Sequence, residues 1–123
     1  MAALESVGMS KKISDRHQKS IEYALSEIKA SSLFSYVEDV VLFGSTARGM
    51  ARYESDVDLL LVLDESARST IDNRDIRLLK VDVSPLDFEL PDVDLKVTFN
   101  NNWMQSKDTI YLNIKEDGYS IWK

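Results

Sequence analysis

Residues 39–63 read DVVLFGSTARGMARYESDVDLLLVL, and the fold turns on this stretch. Asp39-Val40-Val41-Leu42-Phe43 is a short β-branched and aromatic run of the kind that forms a buried strand, and it stops at Gly44. Val57 to Leu63 is nearly continuous in aliphatic residues apart from Asp58, the pattern of a central strand covered on both faces. The compact segment Gly44-Ser45-Thr46-Ala47-Arg48-Gly49 follows the first strand, so two strands flank a glycine-bounded turn. Gly44 and Gly49 are two of only 4 glycines in the chain. A glycine at such a turn lets backbone N–H groups approach a phosphate closely, and Ser45 adds a hydroxyl donor. On its own, a Gly-Ser pair is more often a plain strand-to-helix turn.

Asp56 and Asp58 stand two apart at the start of the second strand, so their side chains project from one face while Val57 and Leu59 point into the other layer. Two adjacent carboxylates raise the energy of each other's ionised form unless a cation lies between them. An isolated Asp-x-Asp usually means a turn cap followed by a solvated carboxylate. The spacing changes the reading here: if the two strands pair antiparallel, the turn and the carboxylates arrive at the same rim, and a triphosphate and Mg²⁺ would share one site.

Outward from this core, Ser14 is a plausible N-cap, and Ile21, Ala24, Leu25 and Ile28 recur at helical spacing to about Ala30. The single His17, near the start of that helix, reads as a solvated or packing residue and is given no chemical role. A second, weaker helix is expected from Ser66 to about Lys80. Beyond Pro85 and Pro91, Val93 to Phe99 alternates apolar and polar residues as a half-buried strand. A last helix is expected from about Trp103 to Lys115, ended by Gly118, before the tail Tyr119-Ser120-Ile121-Trp122. The order predicts an α+β fold, a small mixed β-sheet with helices packed on it. One domain over residues 13–123 is expected, after a flexible lead-in over 1–12.

A third carboxylate should come from a neighbouring strand. Asp94 is the best candidate, because it lies opposite the wholly apolar face of Val93, Leu95, Val97 and Phe99. Asp82 and Asp92 remain rivals, while Asp87 and Glu89 read as an acidic surface loop.

Composition narrows the function classes. With 15 Lys+Arg against 21 Asp+Glu, the net charge of −6 opposes broad contact with a nucleic-acid backbone. No cysteine and 1 histidine exclude disulfides, thiolate nucleophiles and Cys- or His-rich zinc sites, so a metal must be held mainly by oxygen. No apolar run approaches a membrane span, and residues 1–12 lack a signal-peptide core, so a cytoplasmic location is expected.

Gly44-Ser45, then Asp56-Val57-Asp58, with Ala47-Arg48-Gly49 between, resembles the signature of the DNA polymerase β-type nucleotidyltransferase superfamily. More narrowly, the chain is similar to the minimal nucleotidyltransferases that pair with a helical HEPN-domain protein, from about Val40 to Trp122. The resemblance implies a polymerase β palm-like sheet. It implies phosphate contacts from Gly44 and Ser45, with Arg48 close by, and Mg²⁺, two ions in all, held by Asp56, Asp58 and Asp94. Arg48 could equally pair with Asp56 or Glu54, and Thr46 stands where relatives often carry a larger residue. The implied reaction transfers AMP from ATP to a tyrosine of a HEPN-type toxin, making this protein its antitoxin. The chain's length leaves no obvious acceptor-binding domain, which fits a partner protein as acceptor. The competing expectations are an antitoxin that acts by binding alone and an enzyme with a small acceptor such as an aminoglycoside.

Overall fold

Ser14 starts the first helix: its Oγ accepts the backbone N–H of His17 at 3.1 Å. The helix, α1 (Asp15–Ala30), carries Asp15 in its first turn and Lys29 in its last, matching its dipole, and buries Ile21, Ala24 and Ile28. The computed structural model describes residues 13–122, and the lead-in expected over 1–12 lies outside them.

A short 3₁₀ turn, Phe34–Tyr36, leads into β1 (Val37–Phe43). The strand begins two residues before the expected run, at Val37, and its register shifts between Val37 and Asp39, at polar Glu38. A single helical turn, α2 (Gly44–Ala47), follows, and then β2 (Val57–Leu63). β1 and β2 pair antiparallel from Val37↔Leu63 to Phe43↔Asp58, the arrangement on which a shared rim depends.

The helix expected over 66–80 is two helices, α3 (Ala67–Thr70) and α4 (Asn73–Asp82). Ile71 is extended, with ψ 156°, and Asp72 caps a new helix by accepting the Arg74 N–H at 2.9 Å. Together they carry the chain over the sheet to β3 (Val93–Phe99), which pairs parallel to β2 from Val57↔Val93 to Leu63↔Phe99. The last expected helix is also divided. A 3₁₀ segment, Asn101–Gln105, precedes α5 (Thr109–Asp117), which runs two residues past Lys115. The tail forms β4 (Tyr119–Ser120), antiparallel to β1. The sheet order β3-β2-β1-β4 makes a mixed α+β architecture.

Strand alternation divides the core between two faces. Val40, Leu42, Val57, Leu59, Leu61, Leu63, Val93 and Leu95 pack with Ile21, Ala24, Ile28, Ala67 and Leu79 from the helices. Val41, Phe43, Leu60 and Val62 pack on the opposite face with Trp103 and Ile114. β2 is therefore covered on both sides, as its unbroken hydrophobicity requires. Among the described residues no helix is long and apolar enough to cross a membrane.

Gly118 joins α5 to β4 in a space with no room for a side chain: a Cβ there would lie 2.6 Å from the Ile114 carbonyl oxygen and 2.9 Å from Val41 Cγ1. Neither neighbour is the free end of a flexible chain. Gly118→Ala should cost about 1–3 kcal/mol through overpacking, read as a lowered denaturant midpoint with an unchanged slope. An unchanged midpoint would show that the α5–β4 junction yields freely.

Candidate active site

The starts of β2 and β3 and the end of β1 meet at one rim. Asp58 is the register partner of Phe43 on one side and of Asp94 on the other. Asp58 and Asp94 share the parity of Leu60, so they lie toward the face covered by α5 rather than the face covered by α1. The Val57 N–H donates to the Asp92 carbonyl at 2.9 Å and ties the two strand starts together.

Two residues fix the approach to Asp56. Thr46 Oγ1 donates to the Asp56 carbonyl at 3.4 Å. The buried His17 places Nε2 2.9 Å from the Ser55 carbonyl and Nδ1 2.6 Å from Ser14 Oγ. A carbonyl can only accept, so Nε2 carries a proton, and in the neutral ring Nδ1 accepts from the Ser14 hydroxyl. His17 is thus a packing residue, as expected, but one that anchors the carboxylate loop. A lone histidine in an amphipathic helix gives no signal of that contact, 38 residues away in sequence.

Gly44 explains why a glycine begins the turn. Its φ is +79°, a region unfavourable to residues with a Cβ, and a Cβ built there would collide with Asp58 Oδ2 and sit 3.1 Å from Asp58 Cγ. The Asp58 carboxylate therefore lies directly against the Gly44 backbone. The N–H groups that open α2 have no acceptor within the helix. Gly49, at φ +74°, ends the segment, and its N–H donates to the Thr46 carbonyl at 3.1 Å.

The carboxylates are close enough to disfavour one another's ionised forms. Burial raises the Asp58 pKa above its ordinary value, and Asp94 and then Asp56 raise it further, against smaller opposing effects of Lys96 and Arg48. Asp56 is raised by partial loss of hydration, then by Asp92 and Asp94. Lys96 Nζ lies 3.4 Å from Asp94 Oδ2. Arg48 pairs with neither Asp56 nor Glu54, the alternatives to a place near the phosphates. Its Nη1 lies 3.1 Å from Asp117 Oδ2, on the last residue of α5. That partner is 69 residues away, beyond the reach of local spacing.

Of the two rivals to Asp94, Asp82 is the last residue of α4 and lines a different hollow with Glu27 and Ser31, so it does not join the group. Asp92 lies beside Asp56, exposed, just before β3. Among the described residues no three His, Cys, Asp or Glu side chains are drawn together as a ready-made metal cage. The donors are nonetheless all carboxylate oxygens, suited to a hard cation. Mg²⁺ usually takes one or two carboxylates and completes its shell with water and substrate phosphates, so Asp56 and Asp58 beside Gly44 and Ser45 fit it. A cavity of about 450 Å³ opens next to Gly44, lined also by Phe43, Arg48, Ile110, Asn113, Glu116 and Asp117.

Residues 25–119 match the family described as Nucleotidyltransferase domain, and the chain belongs to that family. Its fold is similar to that of a candidate nucleotidyltransferase from Sulfolobus solfataricus, with TM-score 0.58, 23% identity, and coverage of 88% of this chain and 81% of that one. It is also similar to a chain of a toxin–antitoxin crystallised with AMP-PNP, with TM-score 0.57, 20% identity, and coverage of 82% and 71%. No curated protein matches the sequence.

The raised Asp58 pKa has a consequence for stability. Protons bind this group more tightly in the folded state, so its contribution to stability is fully present below its unfolded pKa of about 3.9 and is lost as pH rises through the raised folded value. Asp58→Asn should therefore raise the thermal midpoint in metal-free buffer at pH 7, with the advantage over the native protein shrinking toward pH 4. An advantage independent of pH would contradict a charge-based cause.

Proposed function

We propose that this protein transfers AMP from ATP to a hydroxyl of a partner protein, a tyrosine of a HEPN-type toxin, and so acts as that toxin's antitoxin. The observation that carries the reading is the position of Asp58, packed against Gly44 on one side and in register with Asp94 on the other. In this reading the backbone that binds phosphate and the carboxylates are parts of one site. Membership of the nucleotidyltransferase family supports the reaction class. The fold shared with a chain of a toxin–antitoxin crystallised with AMP-PNP supports the nucleotide and the kind of partner. The net charge of −6 suits a partner whose RNA-binding face is basic.

Each residue has a distinct part in this reading. Gly44 and Ser45 hold the phosphates through backbone N–H groups and the Ser45 hydroxyl, and the 450 Å³ cavity beside them receives the nucleoside. Arg48, 42% exposed in its side chain, exchanges Asp117 for a phosphate oxygen. Asp56 and Asp58 hold Mg²⁺, and Asp94 completes the site for a second ion. When bound, the two ions would neutralise the triphosphate and acidify the acceptor hydroxyl. The acceptor oxygen bonds to the α-phosphorus as the bond from that phosphorus to the bridging oxygen breaks. Pyrophosphate leaves with that electron pair, and the hydroxyl proton passes to Asp94. The protein's contribution is position and charge neutralisation.

Intact-mass spectrometry of a HEPN-type partner, incubated with this protein, ATP and Mg²⁺, tests the proposal. AMP increments should appear, and should fall by orders of magnitude with Asp56→Asn or Asp58→Asn. A partner left unmodified yet silenced in a stable complex would replace transfer with binding alone.

The same assay separates the third carboxylates. Asp94→Asn should abolish transfer, whereas Asp82→Asn, at the far end of α4, should leave it unchanged. Loss with Asp92→Asn and retention with Asp94→Asn would move the third ligand to the residue beside Asp56.

A further inference from the structure

The carboxylates border a second hollow besides the cavity at Gly44. A groove of about 270 Å³ runs along Asp56, between the loop that carries Tyr53 and the loop that carries Phe88, with Leu90 and Asp92 also in its walls. Phe88 is fully exposed and Tyr53 largely so. Phe88 recovers no hydrophobic burial within the described residues, and Tyr53 keeps 64% of its surface exposed.

The groove is braced rather than collapsed. Arg16 Nε donates to the Glu89 carbonyl at 2.8 Å, and its Nη1 donates to the Tyr53 carbonyl at 2.9 Å, so a single guanidinium spans the two loops. The same group stacks 3.6 Å from the centroid of the Tyr53 ring. Its charge is thereby engaged within the wall, and the remaining charged groups lining the groove, Glu54, Asp56 and Asp92, are all acidic.

The two hollows share no lining residue. Asp58 lies against Gly44 of the first and feels the charge of Asp56 in the second. An in-line displacement needs its entering and departing oxygens on opposite sides of the phosphorus, an arrangement that two hollows flanking one carboxylate pair can provide.

We propose that this groove is the acceptor subsite and takes an exposed tyrosine of a protein segment rich in Lys or Arg, an inference that rests on the transfer reading above. The ring enters between Tyr53 and Phe88 with its hydroxyl directed past Asp56 to Asp94, which takes its proton, and the flanking cations meet Glu54 and Asp92. Arg16 is a positioning residue that sets the width of the groove.

The probe is a fluorescein-labelled peptide with one tyrosine between Lys-Arg pairs, compared with the same peptide carrying Glu at the four flanking positions. Anisotropy on the full chain without ATP reads docking, and label from α-³²P-ATP reads transfer. The basic peptide should bind, more weakly as salt rises, and better than the acidic one. Phe88→Ala, at a fully exposed position that folding does not need, should weaken its binding about tenfold, while Val81→Ala on the exposed side of α4 should not. Equal binding of the two peptides, or binding indifferent to Phe88→Ala, would overturn the subsite. AMP transfer that persists without dependence on Phe88 overturns the subsite and leaves the transferase reading standing. Phe88-dependent docking with no AMP added upholds the groove as a docking site and overturns transfer.

Discussion

The rim of the sheet depends on one close approach, the Asp58 carboxylate against the backbone of Gly44. It requires an antiparallel register that sets Phe43 opposite Asp58, and a residue after Phe43 that can hold φ at +79° without a Cβ. Either condition alone is common. Together they bring the turn at Gly44–Ser45 into contact with the acidic pair, and the parallel register of β3 adds Asp94 alongside. Shifting β2 by one residue would turn Asp58 into the apolar layer under α1 and face Val57 toward the rim.

The protein tolerates this concentration of charge because the strand that bears it is its most buried element. Val57 and Leu59 through Leu63 are essentially inaccessible to solvent, and each such side chain contributes about 1.5–3 kcal/mol on burial. Crowded carboxylates act against that gain by disfavouring their own ionised forms. Six apolar side chains on one strand exceed what a few partly hydrated acids can oppose. Lys96 and Arg48 moderate the rest from the same rim. Stability therefore resides in the two faces of the sheet, and the rim is free to carry groups chosen for their chemistry.

What the sequence made legible divides along the same line. The central strands, the first helix and the proximity of Gly44, Asp56 and Asp58 follow from patterns within one continuous segment, where strand periodicity and glycine placement act locally. The breaks in the later helices were hidden because Ile71-Asp72 and Ser106-Lys107-Asp108 interrupt only weakly patterned segments, and caps such as Asp72 emerge from backbone geometry rather than periodicity. The contacts that tune the site were least legible. Arg48 with Asp117, His17 with Ser55 and Arg16 with Tyr53 and Glu89 join elements far apart in the chain, and no spacing rule selects those pairs.

The central claim is that Gly44–Ser45 and the carboxylates form a single site for a metal-bound triphosphate. Isothermal titration of the native protein and of Asp58→Asn with a non-hydrolysable ATP analogue, each with and without Mg²⁺, tests it most directly. The account predicts that the native protein binds the analogue tightly only with Mg²⁺, and that Asp58→Asn loses the metal-dependent part. Equal affinity in all four titrations would show that the nucleotide binds apart from the carboxylates, and would contradict the account.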